Sequence, residues 1–326
     1  MATLKDVAER AGVTVATVSR MLNGRIPVSD KTSARIQQAM AELHYHPNEL
    51  ARSLAKRSSS FIGLIVPSAK NYFFASVIDS IEHHSAAQGC KLLLCVSNLD
   101  TQKEKEYFDM LISNKVMGII LASHTQDLAH MIGLGAPLLT IDRVLSPGIP
   151  SACADNYNGG RIAAEHLIAR GSKRLVYISG SASFDMDANK RYLGLRDACL
   201  AHGLEKPGSV DALEDQFISM EYEDTVDKVF RRYPKLDGIV ASNDVIAAAV
   251  IRYAHRNGID IPGQVKVVGY DDSSFAVHCT PKLTTIHQPI DEIARYAVQC
   301  ILRAAAGEMI PTSAVFPVTL VQRETT

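Results

Sequence analysis

The feature that most constrains this fold is an alternation of short apolar runs with longer amphipathic segments, beginning at Phe61. The runs typical of strands are IGLIVP (62–67), KLLLCVS (91–97), GIILAS (118–123), PLLTID (137–142), RLVYISG (174–180), GIVAS (238–242) and KVVGYD (266–271). Helical patterns lie between them at about 74–88, 102–114, 127–132, 158–170, 187–203, 221–232 and 244–257. This order predicts doubly wound parallel sheets with helices on both faces. Because the rhythm restarts after Asp155, we expect two similar lobes.

A different pattern precedes the lobes. Thr3 is followed three residues later by an aspartate, which indicates a helix N-terminus with a capping box. Apolar residues at helical spacing predict a helix over Leu4–Ala11, Gly12 ends it, and Thr14 caps a second helix that continues to Leu22. A third helix is predicted from 29 to about 44. Two helices joined by a short turn containing glycine form a helix-turn-helix.

The outward face of the second predicted helix suits contact with DNA. Val15 and Ala16 are small apolar groups that can touch base edges, and Arg20 can reach a guanine or a phosphate. The short hydrogen-bonding residues suited to phosphate oxygens or base edges are Thr3, Thr14, Thr17, Ser19 and Asn23. On spacing alone, a small helical domain without DNA-binding function remains an equal alternative.

Charge is distributed unevenly along the 326 residues. Residues 1–60 carry nine Lys/Arg and five Asp/Glu, a net +4, and the remainder carries 25 against 30, a net −5. Positive charge concentrated at one end is what contact with phosphates requires, and an acidic body limits nonspecific binding to nucleic acid.

The segment TLKDVAERAGVTVATVSRMLNG closely resembles the DNA-binding end of the lactose/galactose repressor family of bacterial transcription regulators. HYHPNELARSLA, NDVIAAAV, VVGYDD and LTTIHQPIDEIA resemble that family in the same order, so the similarity spans nearly the whole chain. The resemblance implies a small all-α helix-turn-helix headpiece (1–46), a hinge helix and linker (47–60), and an α/β core of two lobes like those of periplasmic binding proteins (61–326). The first lobe would comprise about 61–155 and 286–314, and the second about 156–285 and 315–326, including a strand at FPVTLVQR.

The hinge predicted at Glu49–Lys56 is too short to be a stable helix in water by itself, and its composition also fits a plain linker. The resemblance implies that it folds against the operator, in the minor groove, beside the hinge of a second subunit. Leu54 would act as a wedge between base pairs, with Asn48 and Ala51 also in contact with DNA.

In open parallel sheets, ligands bind beyond the carboxyl ends of the strands. Polar residues follow several of the predicted strands, although each alone is more often a helix cap or a turn residue. The resemblance favours four of them as effector contacts, Asp142, Arg191, Asn243 and Asp271. Four more are candidates, namely Phe73, Ser123, Asn189 and Gln288. A usual N-P-F-F-A segment reads N-Y-F-F-A at 71–75, which leaves the shape of that loop open.

Together these features predict a transcriptional repressor controlled by a small molecule, most simply a sugar or sugar phosphate. The alternatives are a purine, a phosphoprotein partner, or a sugar receptor that does not act on DNA. We expect a cytoplasmic, nucleoid-associated homodimer on a near-palindromic operator, and no tetramer, since no C-terminal leucine heptads follow.

No nucleophile elbow or phosphate-binding loop is present, so we predict no enzymatic activity, no cofactor and no metal. No apolar stretch approaches the ~20 residues of a membrane span. The six cysteines form no C-x-x-C pair and suit buried thiols in a reducing compartment.

Overall fold

A computed structural model describes residues 2–23, 28–45, 60–123, 135–145, 148–180 and 186–326. Contacts between Cα atoms divide the chain into two compact units, Met1–Ser59 and Ser60–Thr326. We call them the headpiece and the core, and each is described by itself.

Three helices make up the described part of the headpiece: α1 (Leu4–Ala11), α2 (Val15–Asn23) and α3 (Asp30–Glu42). The capping box predicted at Thr3 is present, since its Oγ1 accepts from the backbone N–H of Asp6 and the carboxylate of Asp6 accepts from that of Thr3. Gly12 ends α1 at φ 63°, a left-handed conformation that costs glycine little. The predicted helix-turn-helix and the helix that follows it are therefore confirmed.

A single apolar cluster holds the three helices together. Its fully enclosed members are Val7, Ala8, Ala11, Val18, Ile36 and Ala39, and Leu4, Val13, Met21, Leu22, Met40, Leu43 and Tyr45 pack around them. The inward faces expected from the 3.6-residue spacing are the ones that the structure buries.

The core contains two six-stranded sheets. The strands that the structure describes are β1 (Phe61–Val66), β2 (Lys91–Val96), β3 (Gly118–Leu121), β4 (Leu138–Ile141), β5 (Ser151–Ala154), β6 (Leu175–Ser179), β7 (Gly208–Asp211), β8 (Gly238–Ala241), β9 (Lys266–Asp271), β10 (Thr284–His287), β11 (Ser313–Phe316) and β12 (Thr319–Val321). The first sheet has the order β11-β5-β4-β3-β1-β2 and the second β12-β10-β9-β8-β6-β7. Every pairing is parallel except the antiparallel one between β10 and β12.

Helices cover both sheets. In the described core they are α4 (Tyr72–Ala87), α5 (Thr101–Ser113), α6 (Asn156–Ala169), α7 (Lys190–Ala201), α8 (Glu214–Ser219), α9 (Glu223–Arg232), α10 (Asp244–Arg256) and α11 (Ile290–Ala305), with 3-10 turns at Asp187–Asn189 and Ala276–His278. The central strands are buried almost throughout, as expected when helices cover both faces of a parallel sheet.

The chain passes between the two sheets three times, after β5, after β10 and after β11. The first sheet therefore takes its edge strand β11 and its covering helix α11 from a late part of the chain. Gly118 in β3 lies directly beneath Ile301 of α11, since a Cβ there would come within 2.7 Å of that side chain. We call the two halves of the core lobe 1, built on the first sheet, and lobe 2, built on the second.

The seven predicted strands and six of the seven predicted helices of the core are confirmed, with shifts of a few residues at their ends. The helix predicted at 127–132 lies outside the described residues. The chain also has strands β5, β7, β10 and β11 and helices α8 and α11, which were not predicted as elements from the sequence. The strand predicted at FPVTLVQR was wrong in extent, because Phe316 pairs in the first sheet and the second sheet receives only Thr319–Val321.

Candidate functional site

In the headpiece, helix α2 exposes a short face that carries both apolar and polar side chains. Val15 is 42% exposed, although its apolar side chain would favour burial, and Ala16 and Arg20 are exposed beside it. The hydroxyl of Thr14 accepts from the backbone N–H of Thr17 at 3.2 Å, which caps α2. The first turn of α2 is thus fixed by its own cap and leaves small side chains outward, the arrangement that fits a DNA groove.

The turn before α2 is braced from α3. The guanidinium of Arg35 donates to the backbone carbonyl oxygens of Ala11 and Gly12, which the end of α1 leaves without helical partners. A Cβ at Gly12 would lie 2.6 Å from that guanidinium. Glycine is needed here for its positive φ, since the end of the flexible Arg35 side chain can shift. Arg35 holds the angle between α1 and α2, and the sequence analysis did not identify it.

The structure also describes the surroundings of three other predicted DNA contacts. Thr3 is exposed, and Thr17 and Ser19 are half-buried. Asn23 is the last residue of α2. Asn48, Ala51 and Leu54 lie outside the described residues. The structure describes no DNA, so all of these residues stay predicted contacts.

In the core, a cleft opens between the two lobes at the carboxyl ends of their strands. It encloses about 720 Å³ of empty space, including part of its mouth. Its lining residues come from both lobes and are Asn71, Phe73, Phe74, Asp142, Tyr177, Ser179, Gly180, Met186, Ala188, Asn189, Arg191, Phe217, Ser242, Asn243, Asp271 and Gln288. Seven of the eight predicted effector contacts are in this set.

Arg191, at the start of α7, is the buried cation of this cleft. Its Nε donates to Asn156 Oδ1 at 2.7 Å and its Nη1 to the carbonyl oxygen of Ser242 at 2.6 Å. The guanidinium carbon lies 3.6 Å from the centroid of the Tyr270 ring, a close cation–π contact. The guanidinium is therefore held in one orientation before any ligand arrives.

Asn156, the first residue of α6, joins the lobes at this point. Its Nδ2 lies 3.1 Å from Asp142 Oδ1 of lobe 1 and 2.9 Å from Asp187 Oδ2 of lobe 2, and donates to both. Its Oδ1 meanwhile accepts from Arg191. One buried amide thus positions three charged groups, two of which line the cleft.

Two glycines allow Arg191 to sit where it does. A Cβ at Gly160 of α6 would lie 1.8 Å from the carbonyl oxygen of Arg191, and a Cβ at Gly194 of α7 would lie 1.8 Å from that of Tyr157. Any larger residue would force α6 and α7 apart. The close crossing of α6 and α7 thus places Arg191 in the cleft.

The acidic groups of the cleft lie on strained backbone. Asp142 has φ 56° and Asp271 has φ 105°, values that residues other than glycine seldom adopt. Desolvation raises the pKa of Asp142, and desolvation together with nearby Asp244 raises that of Asp271 well above its ordinary value. Gln288 Nε2 donates to Asp271 Oδ1 at 2.7 Å. Backbone strain and buried carboxyls together are typical of a binding site.

Aromatic rings form the apolar walls. Phe74 of lobe 1 and Phe217 of lobe 2 meet edge to face across the cleft, with ring centroids 6.1 Å apart. Phe73 lies beside Phe74 in a second edge-to-face pair at 5.0 Å. A planar apolar wall next to convergent hydrogen-bonding groups can hold a ligand that has both C–H faces and hydroxyls.

Ser123 is the predicted contact that the described cleft lining does not include. It is buried, and its hydroxyl donates to Glu104 Oε1 at 2.8 Å. Its backbone carbonyl oxygen accepts from Arg143 at 3.4 Å. Ser123 therefore lies outside the described cleft lining, where its hydrogen bonds stabilise the end of β3.

Within the described residues, no group of three His, Cys, Asp or Glu side chains is arranged to hold a metal ion. None of the helices in the described ranges has the length and apolar character to cross a membrane. The six cysteines form no disulfide; five are buried and Cys279 is half-buried.

Two family models match the chain. The first, described as "Bacterial regulatory proteins, lacI family", matches residues 3–48, and the second, "Periplasmic binding protein-like domain", matches residues 164–326. The ribose operon repressor of Bacillus subtilis (strain 168) is 37% identical over 330 residues, which cover 100% of this chain and 99% of that protein. The chain belongs to the lacI family of bacterial regulatory proteins.

Other lacI-family relatives agree. The sucrose operon repressor of Streptococcus mutans serotype c is 35% identical over 325 residues, covering 99% of each protein. The crystal structure of the lac repressor dimer bound to operator and the anti-inducer ONPF superposes with a TM-score of 0.88 at 26% identity, covering 99% of this chain and 98% of that one. The chain is a DNA-binding transcriptional repressor with an effector-binding domain, and its family is not one of enzymes.

Within this lacI-family fold, sequence reasoning missed two positioning residues of the cleft. Asn156 was noted only as the point where the second lobe begins, because an asparagine at a helix start usually indicates a cap. Asp187 had no distinguishing spacing. Asn243 combines two roles, since its Oδ1 caps α10 by accepting from Ile246 at 2.9 Å while the residue also lines the cleft.

Proposed function

We propose that this repressor binds a sugar in the cleft between the lobes and that the sugar controls its affinity for operator DNA. The observation that carries the proposal is the position of Arg191, which Asn156 and Ser242 hold in the same cleft lining as Asp142, Asp271 and the aromatic wall. Carboxyl and guanidinium groups can pair with adjacent hydroxyls, while Phe73 or Phe217 covers a C–H face.

The charges in the cleft favour an unphosphorylated sugar over a sugar phosphate. Among the described lining residues there are two aspartates and one arginine. The guanidinium of Arg191 is already engaged by Asn156 and Ser242. A phosphate would bring added negative charge to a lining with two carboxyl groups, at a cost that no free cation among the described lining residues offsets.

A purine is the second candidate, because flat rings could stack on Phe74 and Phe217. A phosphoprotein partner is the third, and the relatives' names favour sugars over both, since they include a ribose and a sucrose operon repressor. D-ribose and sucrose are therefore the first probes.

We propose that α2 reads bases through Val15 and Ala16, with Arg20 and Ser19 on bases or phosphates. Thr3, Thr14, Thr17 and Asn23 would serve the phosphates. The hinge at 47–60 would fold on the operator, with Leu54 inserted in the minor groove beside Asn48 and Ala51. Its folding would be the step that the sugar controls, at a coupling of about 1–3 kcal/mol.

A homodimer would place two headpieces on the half-sites of a near-palindromic operator. Apolar surface supports this state. β2 is an edge strand with Leu94 43% exposed, and α5 next to it leaves Met110 37% exposed. An uncovered apolar edge strand invites pairing with another chain. Replacement of both residues by lysine should give a monomer by analytical ultracentrifugation; an unchanged dimer would place the interface elsewhere.

A regulator of bacterial operons would act in the cytoplasm.

The effector proposal is tested by thermal unfolding of the full chain with D-ribose, sucrose, ribose 5-phosphate and a purine base. A neutral sugar should raise the unfolding midpoint and change operator binding in a gel shift. Asp271→Ala should remove both responses and leave operator binding intact. If a phosphorylated sugar or a purine alone gave the response, the proposed effector class would be wrong.

The DNA-reading proposal is tested by operator selection with Val15→Tyr combined with Ala16→Gln. The preferred half-site should change, because these side chains would contact base edges. A preference identical to that of the unmodified repressor would mean that neither residue reads bases.

Leu54→Gly should weaken specific operator binding far more than nonspecific binding, because Leu54 would insert between base pairs. Equal losses would exclude this role as a wedge.

A further inference from the structure

A second cleft lies in lobe 2, at the opposite edge of the sheet from the effector cleft. It is formed where β6 and β7 begin and by the segment that leads into β8. About 1240 Å³ of empty space lies within it, including its mouth. None of its lining residues belongs to the effector cleft.

Five cations line this cleft and one carboxylate accompanies them. The cations are Lys173, Arg174, Lys206, Arg232 and Lys235, and the carboxylate is Glu205. The chain beyond residue 60, this cleft included, is acidic overall, with a net charge of −5. Such a concentration of one sign in a concave site focuses the electrostatic field there.

Most of these charges have no ion-pair partner among the residues that the structure describes. Arg174 pairs with Asp237 at 3.3 Å. Lys173, Lys206, Arg232 and Lys235 form no ion pair with any residue that the structure describes. Arg232 does lie over the Tyr233 ring, with its guanidinium carbon 5.5 Å from the ring centroid. The repulsion among the three lysines is therefore offset by no ion pair within the described residues.

Helix ends do not account for the cluster. Cations are stabilised at helix C-termini, but the effect extends over only the last turn. Arg232 is the last residue of α9 and fits that explanation. Lys173 follows the end of α6, and Lys206 the end of α7, with a loop between in each case. Three of the four unpaired cations thus have no structural role of this kind.

The walls are rigid and partly aromatic. The hydroxyl of Tyr192 donates to the carbonyl oxygen of Pro207 at 3.3 Å, and that of Tyr233 to the carbonyl oxygen of Ser209 at 3.4 Å. Gly208 admits the Tyr233 ring, which a Cβ there would approach to 2.6 Å. The cations are thus arranged around a formed cavity, whereas a nucleic acid is typically met by a basic stripe along a surface.

We propose that this basic cleft binds a small polyanion, a metabolite or ion that carries two or more phosphate groups. Lysine ammonium groups from three different loops would surround the phosphates, and Tyr192 and Tyr233 would cover the remainder of the molecule. This site is independent of the sugar proposed for the other cleft.

The test is isothermal titration calorimetry of the full chain with inorganic pyrophosphate, at constant ionic strength. One pyrophosphate should bind per chain, and orthophosphate should bind more weakly. Lys206→Gln combined with Lys235→Gln should weaken pyrophosphate binding about 10-fold or more. The matched control is Lys228→Gln with Lys282→Gln, which removes the same charge from exposed lysines of lobe 2 outside the cleft and should leave affinity unchanged.

Three results would overturn the proposal. The first is no saturable binding of pyrophosphate to the unmodified chain. The second is equal weakening in both double variants, which would show only a general charge effect. The third is full binding by the Lys206→Gln, Lys235→Gln variant, which would assign the anion to the basic headpiece or to another surface.

Discussion

The ring of Tyr72 in lobe 1 stacks on the ring of Phe275 in lobe 2, with centroids 5.1 Å apart and planes inclined by 26°. Tyr72 is the first residue of α4, and Asn71 caps that helix by accepting from the N–H of Phe73 at 3.0 Å. Proline is favoured at the first helical position, which tyrosine occupies in N-Y-F-F-A. The helix start is nevertheless intact, because Asn71 still caps it. The tyrosine adds an aromatic contact between the lobes.

Removal of this contact should weaken the association of the two lobes around the cleft. Aromatic pairs contribute about 0.5–1.5 kcal/mol beyond their buried area, so Tyr72→Ala should lower sugar affinity about 2–10-fold. Tyr72→Phe keeps the ring and is the control. Calorimetric titration with the sugar that stabilises the unmodified repressor measures both. Equal affinities for all three proteins would mean that the stack does not contribute to ligand binding.

Asn156→Asp should disrupt the junction between the lobes. The change is nearly isosteric and keeps the acceptor for Arg191, but it removes the donor to Asp142 and Asp187 and adds a third carboxylate. Hydrogen–deuterium exchange of the unliganded protein should increase over residues 186–191 and at the end of β4. Sugar affinity should fall 10-fold or more, as buried like charges repel.

Asn158→Asp is the matched control for that variant. It lies on the same turn of α6, and its side-chain Oδ1 accepts from Arg161 Nε at 3.0 Å and Nη2 at 2.7 Å, which an aspartate can also do. Exchange and affinity should match those of the unmodified repressor. If Asn156→Asp behaved the same way, the junction would not depend on that amide.

Gly160→Ala should destabilise the core, because its Cβ would press on the backbone of Arg191. Overpacking at a fixed helix crossing typically costs about 1–3 kcal/mol and should lower the thermal unfolding midpoint. Gly180→Ala, whose Cβ would meet only Ser242 Oγ at 3.6 Å, should be tolerated. Equal midpoints for the two variants would show that α6 and α7 can separate without cost.

Asp244 should make stability depend on pH. Burial raises its pKa to about 6, although its oxygens accept from Thr285 Oγ1 at 2.6 Å and from the N–H and hydroxyl of Ser273 at 2.7 and 2.8 Å. A raised pKa means that the folded state favours the protonated form. The stability that this carboxyl provides is therefore full below about pH 4 and is lost as the pH rises through 6.

Asp244→Asn should remove that pH dependence, because its amide oxygen can still accept from Ser273 and its amide NH2 can donate to Thr285 Oγ1, as a protonated carboxyl would. Relative to the unmodified repressor, it should be more stable at pH 7 by up to about 2–3 kcal/mol, and equally stable near pH 4. Urea unfolding at the two pH values measures the difference. A difference that did not change with pH would mean that Asp244 is ionised in both conditions.

The sequence was sufficient for the elements whose signals are local. The capping box at Thr3, the positive φ of Gly12 and the apolar faces of the headpiece follow from neighbouring residues, and the buried parallel strands appear as continuous apolar runs. Strand β7 (GSVD) escaped prediction because it is a short edge strand with exposed polar positions and no alternation. Helix α8 is a single short segment whose composition resembles a loop.

The cleft could be predicted as a location, since polar residues follow strands that must end at one edge. The hydrogen bonds within it could not be predicted. Whether Ser123 faces the cleft or Glu104 depends on the rotation of one side chain at the end of β3. The roles of Asn156 and Arg35 arise from contacts with residues far away in the chain, which spacing does not reveal.

The three passages of the chain between the sheets have a consequence for synthesis on the ribosome. When residue 280 has emerged, the first sheet still lacks its edge strand β11 and the helix α11 that covers β3, β4 and β5. Neither lobe can be finished until almost the entire polypeptide has been translated. Nascent chains that stall before residue 290 should therefore expose an apolar sheet face and depend on chaperones, and neither lobe can be excised by a single cut.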